Sequence, residues 1–372
     1  MSILSFARIV LPSLLAVSAF GIASPAGADT PRDASVQQMV DKGIEFLKTR
    51  GQSVDGSFSR ESGSAVTSLC VAAILKNRPE AKNDPAIKKA LAFIESNVRG
   101  DGGIYAEGSK HMNYETCIAT TALVEANQDG KYDSVLARAK VFIKGLQWDE
   151  SEGITKDDPA YGGAGYGSHS RPDLSNTSFM IDALRNMGDG ADDAAIQKAL
   201  MFVVRSQNLA GEGNDTEHAD DVNDGGFYYT PAAGGTSQAG ETESGGLRSY
   251  ASMTYAGLKS MIFAGLAPDD PRVEAAMSFI RKNYSLESNP GMGMAGLYYY
   301  YHTFAKALNI AGIEVLDDAE GNSHVWRDDL VATLAAAQAA DGSWTNVASD
   351  RWMEGNPNLV TAYALLSLAY CK

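Results

Sequence analysis

The sequence predicts an all-α fold, a six-hairpin (α/α)6 toroid (barrel) of inner and outer helices closed into a ring. Three observations predict it. Six glycine-rich turns punctuate the chain: Asp55-Gly56-Ser57-Phe58, Asp101-Gly102-Gly103-Ile104-Tyr105, Tyr161-Gly162-Gly163-Ala164-Gly165-Tyr166, Asp224-Gly225-Gly226-Phe227-Tyr228, a degenerate Pro290-Gly291-Met292-Gly293, and Asp341-Gly342-Ser343-Trp344. A fixed period of roughly 50 residues marks an array of helix pairs. The runs before the turns echo one another, as in Gly43-Ile44-Glu45-Phe46-Leu47, Ala90-Leu91-Ala92-Phe93-Ile94 and Ala199-Leu200-Met201-Phe202-Val203. The runs after the turns are apolar nearly all round, which is the pattern of a buried helix.

The outer runs carry charged stripes such as Lys42, Glu45, Lys48 and Lys88, Lys89, Glu95, as a solvent-facing layer requires. Inner helices are expected at 65–75, 114–126, 174–187, 249–264, 295–310 and 358–370. The turn glycines permit tight reversal at positive φ, and the aspartates before them are suited to cap backbone N–H groups. An open stack of such pairs needs polar capping repeats at both ends. The last inner run, Leu359-Val360-Thr361-Ala362-Tyr363-Ala364-Leu365-Leu366-Ser367-Leu368, is as apolar as the others, so closure onto the first repeat is expected to bury it. Two loops break the period. Residues 148–173 are rich in Gly, Asp, Ser and Pro, and residues 208–247 have no apolar periodicity. The second far exceeds the roughly 12–15 residues beyond which a loop is functional or disordered. Both join an outer to an inner helix, which places them over the same mouth of the ring.

Residues 1–28 read as a cleavable signal peptide: Arg8, an apolar run over 9–23, and Ala26-Gly27-Ala28. The run is shorter than the roughly 20 residues of a membrane span. A periplasmic or secreted product is expected, with 29–372 as a single toroid domain. The formal charge of −15, without a Lys/Arg cluster, argues against nucleic acid as a partner. Three cysteines are too few for a disulfide scaffold. Cys70 and Cys117 each follow their repeat's phenylalanine (Phe46, Phe93) by 24 residues. They therefore occupy equivalent positions on neighbouring inner helices, about 8–10 Å apart, and read as buried thiols.

The outer-helix, Asp-Gly-[Gly/Ser]-aromatic, inner-helix unit resembles the repeat of the prenyltransferase/squalene-cyclase family over about residues 38–371. Ser249-Tyr250-Ala251-Ser252-Met253-Thr254-Tyr255-Ala256-Gly257-Leu258 is similar to a run of bacterial triterpene cyclases, and Arg171-Pro172-Asp173-Leu174-Ser175-Asn176-Thr177 resembles the cyclase Pro-Asp-x-Asp-Asp-Thr. The resemblance implies an α/α toroid with a central cavity for an apolar or isoprenoid-type ligand. Cyclases of this kind protonate an alkene with the middle aspartate of Asp-x-Asp-Asp. The matching positions read Asp173-Leu174-Ser175-Asn176, and a hydroxyl is far too weak an acid for that step. Squalene-cyclase activity by the family's route is not expected. Any retained chemistry would be that of a divergent isomerase or lyase.

The catalytic candidates are Asp173, Glu354 and His302, and the ligand-binding candidates are Ser175, Asn176, Tyr250, Tyr299, Trp352 and Glu115. Of the run Tyr298-Tyr299-Tyr300-Tyr301-His302, helical spacing aims two rings at the cavity. Trp352 and Glu354 sit in a loop just before the last inner helix, with Asn358 as its expected N-cap. No cofactor or metal is expected. Glu115-Thr116-Cys117 and His302 belong to opposite walls of the ring and cannot share one zinc. The acidic stretch 211–224 fails the calcium-loop template, with Val222 and Pro231 at ligand positions. A monomer with peripheral membrane contact is one expectation. The competing readings are a non-catalytic binding or scaffold module for a protein or glycan, and a carbohydrate-active α/α barrel, which demands opposed cavity carboxylates.

Overall fold

The hairpin turns are built from one set of side-chain bonds used repeatedly. The turn aspartate accepts the N–H two residues on, Asp55 from Ser57, Asp101 from Gly103, Asp224 from Gly226 and Asp341 from Ser343, at 2.9–3.1 Å. A threonine near the start of the following inner helix accepts the next N–H of the turn. Thr67 takes that of Phe58, Thr116 that of Ile104, Thr177 that of Ala164, Thr254 that of Phe227 and Thr361 that of Trp344. At four of the six turns a glutamine then joins the turn to the next outer helix. Gln147 donates from Nε2 to Gly162 O (2.8 Å) and Ala195 O (2.9 Å), and Gln207 donates to Gly225 O and Arg272 O (both 2.9 Å). Buried backbone carbonyls need such donors. Gln147→Ala, which orphans two of them, is expected to lower stability by about 2 kcal/mol, read as a shift of the urea midpoint at unchanged slope.

The computed structural model describes residues 31–167 and 170–372. The signal-peptide reading, on 1–28, lies outside the described residues. Among these are twelve α-helices. The outer ones are α1 (Pro31–Phe46), α3 (Pro85–Ser96), α5 (Asp133–Lys144), α7 (Ala194–Arg205), α9 (Pro271–Lys282) and α11 (Trp326–Ala337). The inner ones are α2 (Ala65–Asn77), α4 (Met112–Ala126), α6 (Leu174–Asn186), α8 (Ala251–Phe263), α10 (Leu297–Ile310) and α12 (Pro357–Leu368). One short antiparallel pair, β1 (Leu316–Asp317) with β2 (Ser323–His324), precedes α11. No helix among the described residues is long and apolar enough to cross a membrane.

Three of the outer helices, α3, α7 and α9, start on side-chain caps: Asp84, Asp193 and Asp270 accept the N–H groups of Ala86, Ala195 and Arg272, with Pro85 and Pro271 at the first helical position. Their inward face is a stripe such as Ile87, Ala90, Leu91 and Ile94 on α3, at helical spacing. The inner helices are buried nearly all round; on α12 every residue from Leu359 to Leu368 is buried.

Each inner helix packs on its two neighbours in the order α2, α4, α6, α8, α10, α12, and α12 packs on α2. The seam uses the same bonds as the junctions made by Gln52, Gln147 and Gln207. Gln338 Nε2 donates to Gly342 O and to Met39 O on α1, both at 3.0 Å. Gly342, at φ +91°, lies so close to the Lys42 carbonyl of α1 that any Cβ would collide with it. Asn77 Nδ2 on α2 donates across the seam to Leu365 O on α12 at 2.8 Å. The expected burial of the last inner helix against the first repeat is thus met in both layers.

Cys70, Cys117 and Cys371 are free, buried thiols. Along the acidic stretch the charges have local partners: Asp215 pairs with Arg205 at 2.8 Å, Asp221 with His218 at 2.9 Å, and Asp224 accepts from Gly226 N and Ser249 Oγ.

Candidate functional site

A cavity of about 500 Å³ opens among the N-terminal ends of all six inner helices. Ala65 and Val66 (α2), Tyr114 (α4), Ser175 and Phe179 (α6), Met253 (α8), Tyr299 (α10), and Leu359 and Tyr363 (α12) form its wall. Tyr166 and Tyr229 enter from the two long loops, as does Gln238, so both loops do lie at one mouth. The rings interlock: Tyr114 meets Phe179 edge-on at 5.5 Å, Phe179 lies 6.1 Å from Tyr299, and Tyr299 lies 6.0 Å from Tyr363. Such a wall offers ring faces and edges to an apolar guest.

Six helix N-termini converge here, and each leaves backbone N–H groups to be satisfied. Three are satisfied by carboxylates. Glu115 reaches back from α4 to the start of α2, where Oε2 accepts Ser64 N (2.9 Å), Ser64 Oγ (3.1 Å) and Ala106 N (3.0 Å), and Oε1 accepts the Ser109 hydroxyl. Asp173 caps α6, its Oδ1 accepting Asn176 N (2.9 Å) and its Oδ2 accepting Asn176 Nδ2 (2.8 Å). Glu354 caps α10 from the loop before α12, accepting Tyr298 N and Tyr299 N (both 2.9 Å) on Oε1 and Asn346 Nδ2 (2.7 Å) on Oε2. Burial raises the Glu354 carboxyl above its ordinary range against these bonds. Burial likewise pushes Asp173 up to about 6, although Asn176, Tyr229 and Arg171 oppose it.

Six of the nine sequence candidates meet at the cavity: Ser175, Tyr250, Tyr299, Trp352, Glu115 and Glu354 all line it. Asp173 and Asn176 are buried behind the wall, bonded to one another. His302 does not line it. It lies one turn deeper on α10, stacked on the inner side of Tyr363 at 5.8 Å, and burial beside Lys306 and Lys259 holds it neutral, well below its ordinary range. Of the tyrosine run only Tyr299 faces the cavity, one ring rather than two. Tyr300 and Tyr301 turn outward and donate to Ser285 O and Leu286 O, both at 2.6 Å. The N-cap of α12 is Asn356, which accepts Asn358 N and Leu359 N; Asn358 instead donates to Gly51 O and Ser59 Oγ across the seam.

The position of the cyclase proton donor is thus open to view. There the Ser175 hydroxyl lies 3.0 Å from the Tyr299 hydroxyl at the cavity wall.

The model of the squalene-hopene cyclase C-terminal domain matches residues 57–230, just under half of the chain. The fold matches that of the type II terpene cyclase MstE from Scytonema in its apo form, with a TM-score of 0.53 at 13% identity, covering 90% of this chain and 98% of that one. A single-substitution variant of the same enzyme matches with a TM-score of 0.54 at 14% identity, covering 91% and 98%. The chain is prenyltransferase/squalene-cyclase-like. Among curated proteins no match is found. In this cyclase-like chain the threonines that carry part of the resemblance, Thr177 and Thr254, are turn clamps shared with Thr67, Thr116 and Thr361, so that part of the likeness records the fold.

Sequence reasoning missed half of the aromatic wall. Tyr166 and Tyr229 stand in or beside turns read only for their glycines, and Tyr363 lies in a run read only as apolar. A second omission is a buried charge cluster deeper in the ring, where Lys259 on α8 and Lys306 on α10 meet Asp182 on α6 at 2.6 and 2.7 Å.

Proposed function

We propose that the chain binds a small apolar or isoprenoid-like ligand in its central cavity and does not cyclise it by alkene protonation. The observation that carries this reading is the cavity itself, a wall of interlocked rings with the Ser175 hydroxyl at the acid position, bonded to Tyr299. Asp173, the remaining carboxyl of the motif, is committed to Asn176 and to the start of α6. A hydroxyl cannot supply the acidity that protonation of an isolated alkene demands.

The likeness to terpene cyclases supports the fold and the place of the cavity. The leader-like residues 1–28 support export to the periplasm or beyond. A carbohydrate-active reading has less support, because both oxygens of Glu115 and of Glu354 are occupied by donors of the turn and helix ends.

The test is native mass spectrometry of the protein purified from its own host, followed by organic extraction. A stoichiometric lipid is expected. A protein that arrives empty and takes up no polyprenoid on soaking overturns the reading. Incubation with squalene is expected to return it unchanged, and any cyclic product overturns the second half of the proposal.

A further inference from the structure

The apolar wall has a polar side. Tyr250, the residue before α8, is only 2% exposed, yet it lines the cavity. Among the described residues no hydrogen bond engages its hydroxyl, and that oxygen is not sealed away but open to the cavity. A guest that fills the cavity strips water from this hydroxyl, which is unfavourable unless the guest itself supplies the bond. Around it stand the hydroxyls of Tyr299 and Tyr166, the carboxyl of Asp173 and, farther toward the mouth, the guanidinium of Arg351, all close enough to act on it electrostatically. The Ser175–Tyr299 pair extends the same polar edge.

The charge of the lining decides which polar group fits. Among the described residues Glu61, Glu107, Glu115 and Glu354 line the cavity beside His111, and no lysine or arginine does. Helix N-termini favour anions, but at α2, α6 and α10 that place is already taken by Glu115, Asp173 and Glu354. Arg351, the guanidinium next to the mouth, stacks on the Trp352 ring at 4.3 Å and donates to Gln238 at 2.7 Å.

We infer that the ligand is a neutral lipid bearing an oxygen, an alcohol or a carbonyl, which accepts a hydrogen bond from Tyr250, and that a diphosphate or carboxylate headgroup is rejected. This rests on the preceding reading that the cavity holds an apolar ligand. Tyr250 is then a specificity residue: it distinguishes an oxygenated lipid from a hydrocarbon of the same length, since an unmet hydroxyl is the cost of binding the latter.

The experiment uses three probes of one chain length, farnesol, farnesyl diphosphate and farnesene, titrated against the full chain by native mass spectrometry and by quenching of tryptophan and tyrosine fluorescence. Farnesol is expected to bind about tenfold more tightly than farnesene, and farnesyl diphosphate more weakly than either. Tyr250→Phe is expected to erase the preference for the alcohol by weakening farnesol and tightening farnesene, and the retained farnesene binding also reports that the variant is folded. Equal or tighter binding of the diphosphate overturns the inference, as does an alcohol preference that survives in Tyr250→Phe. Farnesene binding with no alcohol preference overturns this inference alone. If none of the three binds, the apolar-cavity reading itself falls.

Discussion

Asp182→Asn is expected to be unfolded or nearly so at neutral pH and to regain structure as the pH is raised. Asp182 Oδ2 lies 2.6 Å from Lys259 Nζ and 2.7 Å from Lys306 Nζ, with the three side chains only 7%, 4% and 11% accessible. Burial by itself would raise the Asp182 carboxyl, but the two ammonium groups more than reverse it and hold it low. For Lys259 burial wins and brings the ammonium down to about 8, against the pull of Asp182. The asparagine leaves two buried ammonium groups with no counter-charge. Removing one partner of a buried ion pair costs about 3–5 kcal/mol, against a total stability of about 5–15 kcal/mol.

The pH dependence identifies the cause. Unfolded lysines keep their protons up to a pKa of about 10.4, whereas the folded variant sheds them earlier. The unfolded state then binds more protons, so stability rises with pH, by up to about 1.4 kcal/mol per unit for each lysine. Circular dichroism of variant and parent across neutral to alkaline pH checks it, and Lys259→Met placed on Asp182→Asn is expected to restore part of the loss. A variant as stable as its parent at neutral pH, or one that weakens as the pH rises, contradicts the account.

Asp182, Lys259 and Lys306 also mark the limit of what the sequence discloses. The fold was legible because its signal is local and repeated. Turn glycines, capping aspartates and apolar runs recur with one period, and the inner helices fall within two residues of their expected bounds. The glutamine that joins a turn to the next outer helix recurs in four of the six repeats, at Gln52, Gln147, Gln207 and Gln338, but its second acceptor lies on another repeat, so its purpose is visible only in three dimensions. The site was legible in part. Ser175 and Tyr250 stand out because a motif is broken or matched there. Tyr166, Tyr229 and Tyr363 do not, since a ring on a buried helix or loop has no sequence mark that tells cavity from core. The charge cluster did carry a mark, a lone charged residue inside each of three apolar runs, Ile181-Asp182-Ala183, Leu258-Lys259-Ser260 and Ala305-Lys306-Ala307. Charged residues are seldom fully buried unless paired, so three such positions on inner helices had to find one another. The same spatial blindness affects the carboxylates: Glu115 and Glu354 read as recognition groups until their backbone partners on neighbouring helices are seen.

Asp173→Asn is expected to remove a pH-dependent loss of stability of about 3 kcal/mol, that being the worth of a carboxyl moved from 3.8 to about 6. Burial is the main cause, only partly offset by the bonds from Asn176 and by Tyr229 and Arg171. The sign follows from proton counting. Between pH 4 and 6 the folded chain holds the Asp173 proton while the unfolded chain has released it, so stability falls as the pH rises through that window and is flat above it. Other carboxylates run the opposite way: Asp84, held low by its bond to Lys48, adds stability as the pH rises from acid. The quantity to measure is therefore the difference between parent and variant in denaturant unfolding, not either curve alone. Asparagine is as good an N-cap as aspartate, and Asn176 can turn its unpartnered Oδ1 toward the new amide, so the start of α6 survives the change. The expected difference is near zero at pH 4 and grows in the variant's favour to about 3 kcal/mol above pH 6. A difference that stays constant with pH would falsify the buried, protonatable Asp173. That outcome would make it an ordinary ionised cap of α6.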